Sequence, residues 1–104
     1  MRTDQSVIIY FNYGIDSLDP LHQLEDKLRK IIESENVGDY DGHEIARDDS
    51  DGSLYMYGPN AEKLFKTVKP ILASTHFMAG ATAFLRFGSV YEESVPEIEV
   101  EING

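Results

Sequence analysis

There is no cysteine in the chain. That absence removes disulfide bridges, thiolate nucleophiles and thiolate zinc sites together, and it fits a reducing compartment. Basic residues are scarce. Nine Lys and Arg stand against nineteen Asp and Glu, a formal net charge of −10 at pH 7. A phosphate backbone is repelled by such a field, and the basic footprint of a nucleic-acid binder is missing. No nucleic-acid partner is expected. Long apolar runs are lacking too. The longest, Val7 to Phe11, falls far short of the roughly 20 residues a membrane helix needs. Met1 to Ser6 carry neither the apolar stretch nor the cleavage site of a signal peptide. We therefore expect no membrane partner and a cytoplasmic location.

What is present suffices for a core. The chain has 104 residues, 41% of them hydrophobic. That length is near the ~100–150 typical of one domain, and such a composition excludes a disordered chain. Residues 1–104 are read as a single domain. Its core spans about 7–88, and a C-terminal strand spans about 97–102.

Ser53-Leu54-Tyr55-Met56-Tyr57 organises the rest. Its period of two marks a strand with two unlike faces. Leu54 and Met56 should face covering helices, leaving Tyr55 and Tyr57 on the reverse. Val7 to Tyr13 is β-branched and aromatic, as suits a central strand. Val7, Ile9, Phe11 and Tyr13 share one face of it, Ile8, Tyr10 and Asn12 the other. Asp19-Pro20 predicts a helix start, with Asp19 as cap. Leu21, Leu24, Leu28, Ile31 and Ile32 then follow at helical spacing, with Glu25–Arg29 and Asp26–Lys30 as acid-first pairs four apart. A weakly patterned edge strand is expected over Tyr40 to Arg47, and a turn over Asp48 to Gly52. Asn60 should cap a second helix that buries Leu64, Phe65, Val68, Ile71 and Leu72, with a kink near 66–70 from Pro70. Ala81 to Phe87 reads as a fourth strand, with Thr82, Phe84 and Arg86 on its second face. In the tail, Ile98, Val100 and Ile102 alternate with Glu97, Glu99 and Glu101, a strand with one buried face.

The order β-α-β-β-α-β implies an α+β, ferredoxin-like sandwich. Short right-handed crossovers put both helices on one face of an antiparallel sheet. The extra C-terminal strand should pair with the fourth, with the other edge of the sheet, or with another copy of the chain.

Two surfaces could carry function. The sheet face away from the helices would gather Tyr10, Asn12, Tyr55, Tyr57, Phe84 and Arg86 as a ligand site. Cross-strand aromatic packing without a ligand would explain the same residues. The acidic hairpin offers Asp41, Glu44, Asp48, Asp49 and Asp51 to a partner, or simply to water. It is not a calcium loop. With Gly52 in the sixth place, Arg47 would be first and Gly58 twelfth, where oxygen ligands are required. His22, His43 and His76 lack the spacing of a helical metal pair. His43 could act as a base within Asp41-Gly42-His43-Glu44, but no nucleophile, oxyanion loop or phosphate-binding glycine loop accompanies it. No catalytic residue, metal ligand or cofactor site is assigned.

Three stretches carry a resemblance: Asp41-Gly42-His43-Glu44, Leu54-Tyr55-Met56-Tyr57-Gly58-Pro59-Asn60-Ala61 and Val68-Lys69-Pro70-Ile71-Leu72. With the first helix, they resemble a family of short bacterial proteins of unassigned function. The similarity covers most of residues 7 to 88 and implies a small standalone protein. It supplies no catalytic residue.

The functional expectation is a small, acidic, non-catalytic binding or regulatory protein that recognises a protein partner. Its sharpest form is immunity- or antitoxin-like neutralisation of a basic partner. The alternative is a small-molecule site, sensory or enzymatic, on the aromatic sheet face. Self-association through the terminal strand is a third possibility.

Overall fold

Alternating apolar residues build the sheet, and helical stripes cover one side of it. The computed structural model describes residues 5–48, 50–88 and 96–102. In chain order the elements are β1 (Gln5–Asn12), α1 (Asp19–Glu35), β2 (Asp39–Ile45), β3 (Asp51–Gly58), α2 (Ala61–Ala73), a 3₁₀ turn at His76–Met78, β4 (Thr82–Arg86) and β5 (Glu97–Glu101). The strands form one antiparallel sheet in the order β2-β3-β1-β4-β5. The architecture is α+β, and among the described residues no helix is long and apolar enough to cross a membrane.

The pleat register is the expected one. Val7, Ile9, Phe11, Leu54, Met56, Ala83 and Leu85 are buried with Leu21, Leu24, Leu28 and Ile32 of α1 and Leu64, Phe65, Val68 and Leu72 of α2. The helices pack on each other. α2 lies against β1, β3 and β4, and α1 against β2. Tyr55, Tyr57, Phe84 and Arg86 are half-buried on the reverse side, and Tyr10 and Asn12 are exposed there.

Several boundaries differ from expectation. Asp19 is not the α1 cap. Leu18 occupies that position, and the Asp19 amide donates to Ser17 Oγ at 3.1 Å. Asn36, in the left-handed conformation, ends the helix. α2 begins as expected, with Asn60 Oδ1 accepting from the Lys63 amide at 3.0 Å, and it continues across Pro70 to Ala73. β2 starts at Asp39 and stops at Ile45, before Arg47. Asp51 and Gly52 belong to β3, not to the turn. Gly52 is buried, and a Cβ there would stand 2.8 Å from the Glu44 carbonyl oxygen of the neighbouring strand. The residue permits close strand approach, which its turn-like neighbours disguise in the sequence.

The terminal strand pairs with β4 within the chain, with Leu85 opposite Ile98 and Ala83 opposite Val100. Its expected buried face is only partly realised. Ile102 is fully buried and Val100 half-buried, but Ile98 is 48% exposed. Neither helix comes close to β5, and about half of the Ile98 side chain is left open to water.

Candidate functional site

The open sheet face gathers the six residues expected there into two neighbourhoods around β1. Ile8 stands between Tyr55 and Phe84, and Ser6 between Tyr57 and Arg86. Tyr10 meets Phe84 edge to face, with ring centroids 5.2 Å apart. At the far end Tyr10 and Asn12 join Asp51, Ser53, Gly80 and Thr82 around an open groove of about 380 Å³. Tyr55, Tyr57, Phe84 and Arg86 do not line that groove. Burial is the main influence raising the Tyr55 phenol above its ordinary range, and the Glu44 carboxylate adds to it. Ser6 Oγ is buried without a hydrogen-bond partner among the described residues.

Two acidic margins frame these aromatics. Register places Asp39, Glu44 and Asp51 with Tyr57, Ser53 and Asn12 on one side. On the other side Glu97, Glu99 and Glu101 stand opposite Arg86, Phe84 and Thr82. The acidic hairpin is thus divided. Glu44 and Asp51 belong to the open face, and Asp41 sits in a strand irregularity between Tyr40 and Gly42. Asp48 folds back on its own turn, accepting from the Ser50 amide at 3.1 Å, and the Ser50 contacts hold its carboxyl below the usual range. Asp49 lies outside the described residues.

A second polar cluster sits on the helix side, between α1 and β2. Glu25 is only 7% exposed. Its Oε2 accepts from the Tyr40 hydroxyl at 2.5 Å, and His43 Nδ1 lies 2.9 Å from the same oxygen. Both side chains thus converge on one carboxyl oxygen. The His22 ring centroid is 6.2 Å from that of His43. The Arg29 guanidinium lies 5.3 Å from the Tyr40 ring centroid. Burial, then the hydrogen bond and charge of Glu25, push the Tyr40 phenol far above its ordinary value.

The Glu25–Arg29 and Asp26–Lys30 pairs expected on α1 do not form. Glu25 is turned inward, and Arg29 lies 3.6 Å from Asp26. His43 does neighbour a carboxylate, as its sequence context suggested. The partner is Glu25 of α1, not Asp41 or Glu44.

A β-bulge creates this cluster. Tyr40 pairs with Met56 and His43 with Leu54, with Asp41 as the extra residue and Gly42 at φ 137°. In a regular strand, residues three apart face opposite ways. Gly42 was the available sequence signal, because glycine within a strand often marks a bulge. Among the described residues no three His, Asp or Glu converge in a way that could hold a metal ion.

No protein-family model matches the chain, and neither a curated protein nor a solved structure matches it.

Proposed function

We propose that the chain is a non-catalytic binding or regulatory protein whose open sheet face recognises a basic protein surface. The observation that carries this reading is a strip of Ile8, Tyr10, Tyr55, Tyr57 and Phe84 bordered on both sides by carboxylates, with no described element laid over it. Aromatic side chains supply contact area and attract cations to their faces. The margins and the net charge of −10 steer a cationic partner towards them. Neutralisation of a basic partner, as an immunity protein or antitoxin performs it, is the sharpest form of this function, and the cytoplasm is the compartment it fits.

In the same reading the fold is ferredoxin-like. The order β2-β3-β1-β4 and the alternation of strands and helices support it, with β5 as an addition. The resemblance to short bacterial proteins, which covers most of residues 7 to 88, stands as part of the same proposal.

The test is capture of partners from cells that express the chain, at low and high salt, with the native face and with Tyr10→Ala plus Phe84→Ala. A partner bound by the native face, weakened by salt and lost from the double variant is expected. A partner held equally under all these conditions overturns the reading.

The groove favours a second reading, a small polar ligand. Its volume of about 380 Å³ lies within the roughly 300–1,000 Å³ of small-molecule sites. Asn12, Asp51, Ser53 and Thr82 could orient such a ligand. A metabolite library screened by thermal shift should then contain a compound that stabilises the native chain but not Asn12→Ala.

A further inference from the structure

We propose that the outer edge of β5 is a strand-addition site for an extended protein segment in which Lys or Arg alternates with apolar residues. The proposal rests on the basic-protein reading above and specifies how such a partner attaches.

The main-chain direction comes first. The Phe87 amide donates to the Pro96 carbonyl at 2.9 Å, and the Ile102 amide donates to the Ala81 carbonyl at 2.7 Å. Residues 96 and 102 therefore turn their main-chain groups towards β4. Those groups alternate sides along a strand, so Ile98 and Val100 do the same. The amides and carbonyls of Glu97, Glu99 and Glu101 consequently point outwards. β5 ends the strand order, and nothing described pairs with that edge. At the opposite edge β2 carries the Asp41–Gly42 bulge, a device that discourages strand addition. The pairing of β5 with β4 has no such irregularity.

The side chains then select the occupant. In any antiparallel pairing of two β5 strands, outward-facing residues must meet outward-facing residues. Every register therefore sets glutamate against glutamate, a repulsive arrangement. A second copy is disfavoured. A strand with Lys or Arg opposite Glu97, Glu99 and Glu101 is matched in charge. Its intervening apolar side chains would lie beside Ile98, 48% exposed, and Val100, on the side that neither helix covers. Main-chain hydrogen bonds would supply affinity, and the alternation specificity.

The experiment compares two short synthetic peptides of one composition, one alternating lysine with valine, the other a lysine block followed by a valine block. Binding is measured by calorimetry in low salt. Amide exchange is followed at Glu97, Glu99 and Glu101. The alternating peptide should bind about tenfold more tightly and slow exchange at those amides. Glu99→Pro should erase the preference. It removes an outward N–H and leaves the bonds to β4 in place. A peptide N-methylated on its edge-facing amides makes the same test without altering the protein. Equal affinity for the two peptides, or undiminished binding by the methylated one, overturns strand addition and leaves the open-face reading standing. Failure of both lysine peptides to bind overturns strand addition and also removes support for a basic partner. A dimer of the native chain that Glu99→Pro dissolves would assign the edge to a second copy and overturn the proposal.

Discussion

Tyr40 and His43 lie three residues apart on β2, yet both point towards α1 and meet the same oxygen of Glu25. The extra residue at Asp41 makes this possible by shifting the pleat by one position. An edge strand is thereby attached to a helix through a buried carboxylate as well as through apolar contact.

The bulge depends on Gly42, whose φ of 137° is unfavourable for a residue with a side chain. The space around it is open, so the strain of Gly42→Ala is confined to the backbone. We expect a loss of about 1–2 kcal/mol in urea unfolding. A change within about 0.3 kcal/mol would show that the bulge relaxes without cost.

Removing the Tyr40 hydroxyl takes one donor from a buried carboxylate. Tyr40→Phe should cost about 1–3 kcal/mol. His43 shares the acceptor, so a cycle with His43→Ala should be non-additive, with a coupling of at least about 0.5 kcal/mol. Strict additivity in denaturant melts would mean that the two contacts act separately.

The raised phenol of Tyr40 gives a definite sign to alkaline behaviour. The folded state holds the proton more tightly than the unfolded state, which releases it near pH 10. Stability from this group is fully present below about pH 10 and declines as pH rises beyond it, at no more than about 1.4 kcal/mol per pH unit. Urea midpoints followed from about pH 9 to about pH 11 should fall more steeply for the native chain than for Tyr40→Phe. Parallel curves would contradict this.

Ile98 in β5 and Ile102, one residue past its end, follow one alternation but differ in cover. Ile102 is fully buried, and Ile102→Ala should cost about 2–4 kcal/mol. Ile98→Ala should stay within about 0.5 kcal/mol, as an exposed substitution does. Equal losses in thermal melts would place an unseen cover over Ile98.

These contrasts also mark what could be read from sequence. The inward set of Leu54 and Met56 was legible because a period of two admits only two registers, and the apolar residues choose one. The α1 stripe was legible for the same kind of reason. The Glu25 cluster was not. Tyr40 and His43 have the wrong parity for a regular strand, and Glu25 has a plausible exposed partner four residues on. Only the three-dimensional join of helix to strand reverses both readings. Ile98 escaped because alternation reports which way a side chain points, not how far the helical layer extends. On the open face, the sequence placed the aromatics together but could not locate the groove. That groove forms where the end of β1 meets the start of β3 and the approach to β4.

The glutamates of β5 also bear on how the chain should be handled. Their mutual repulsion acts through water, and at about 1 M salt it is screened within roughly 3 Å. An otherwise unguarded strand margin then becomes adhesive. Precipitants and brines should make concentrated, ligand-free stocks cloudy sooner than dilute buffer does, so gentle storage follows from an acidic border one strand wide.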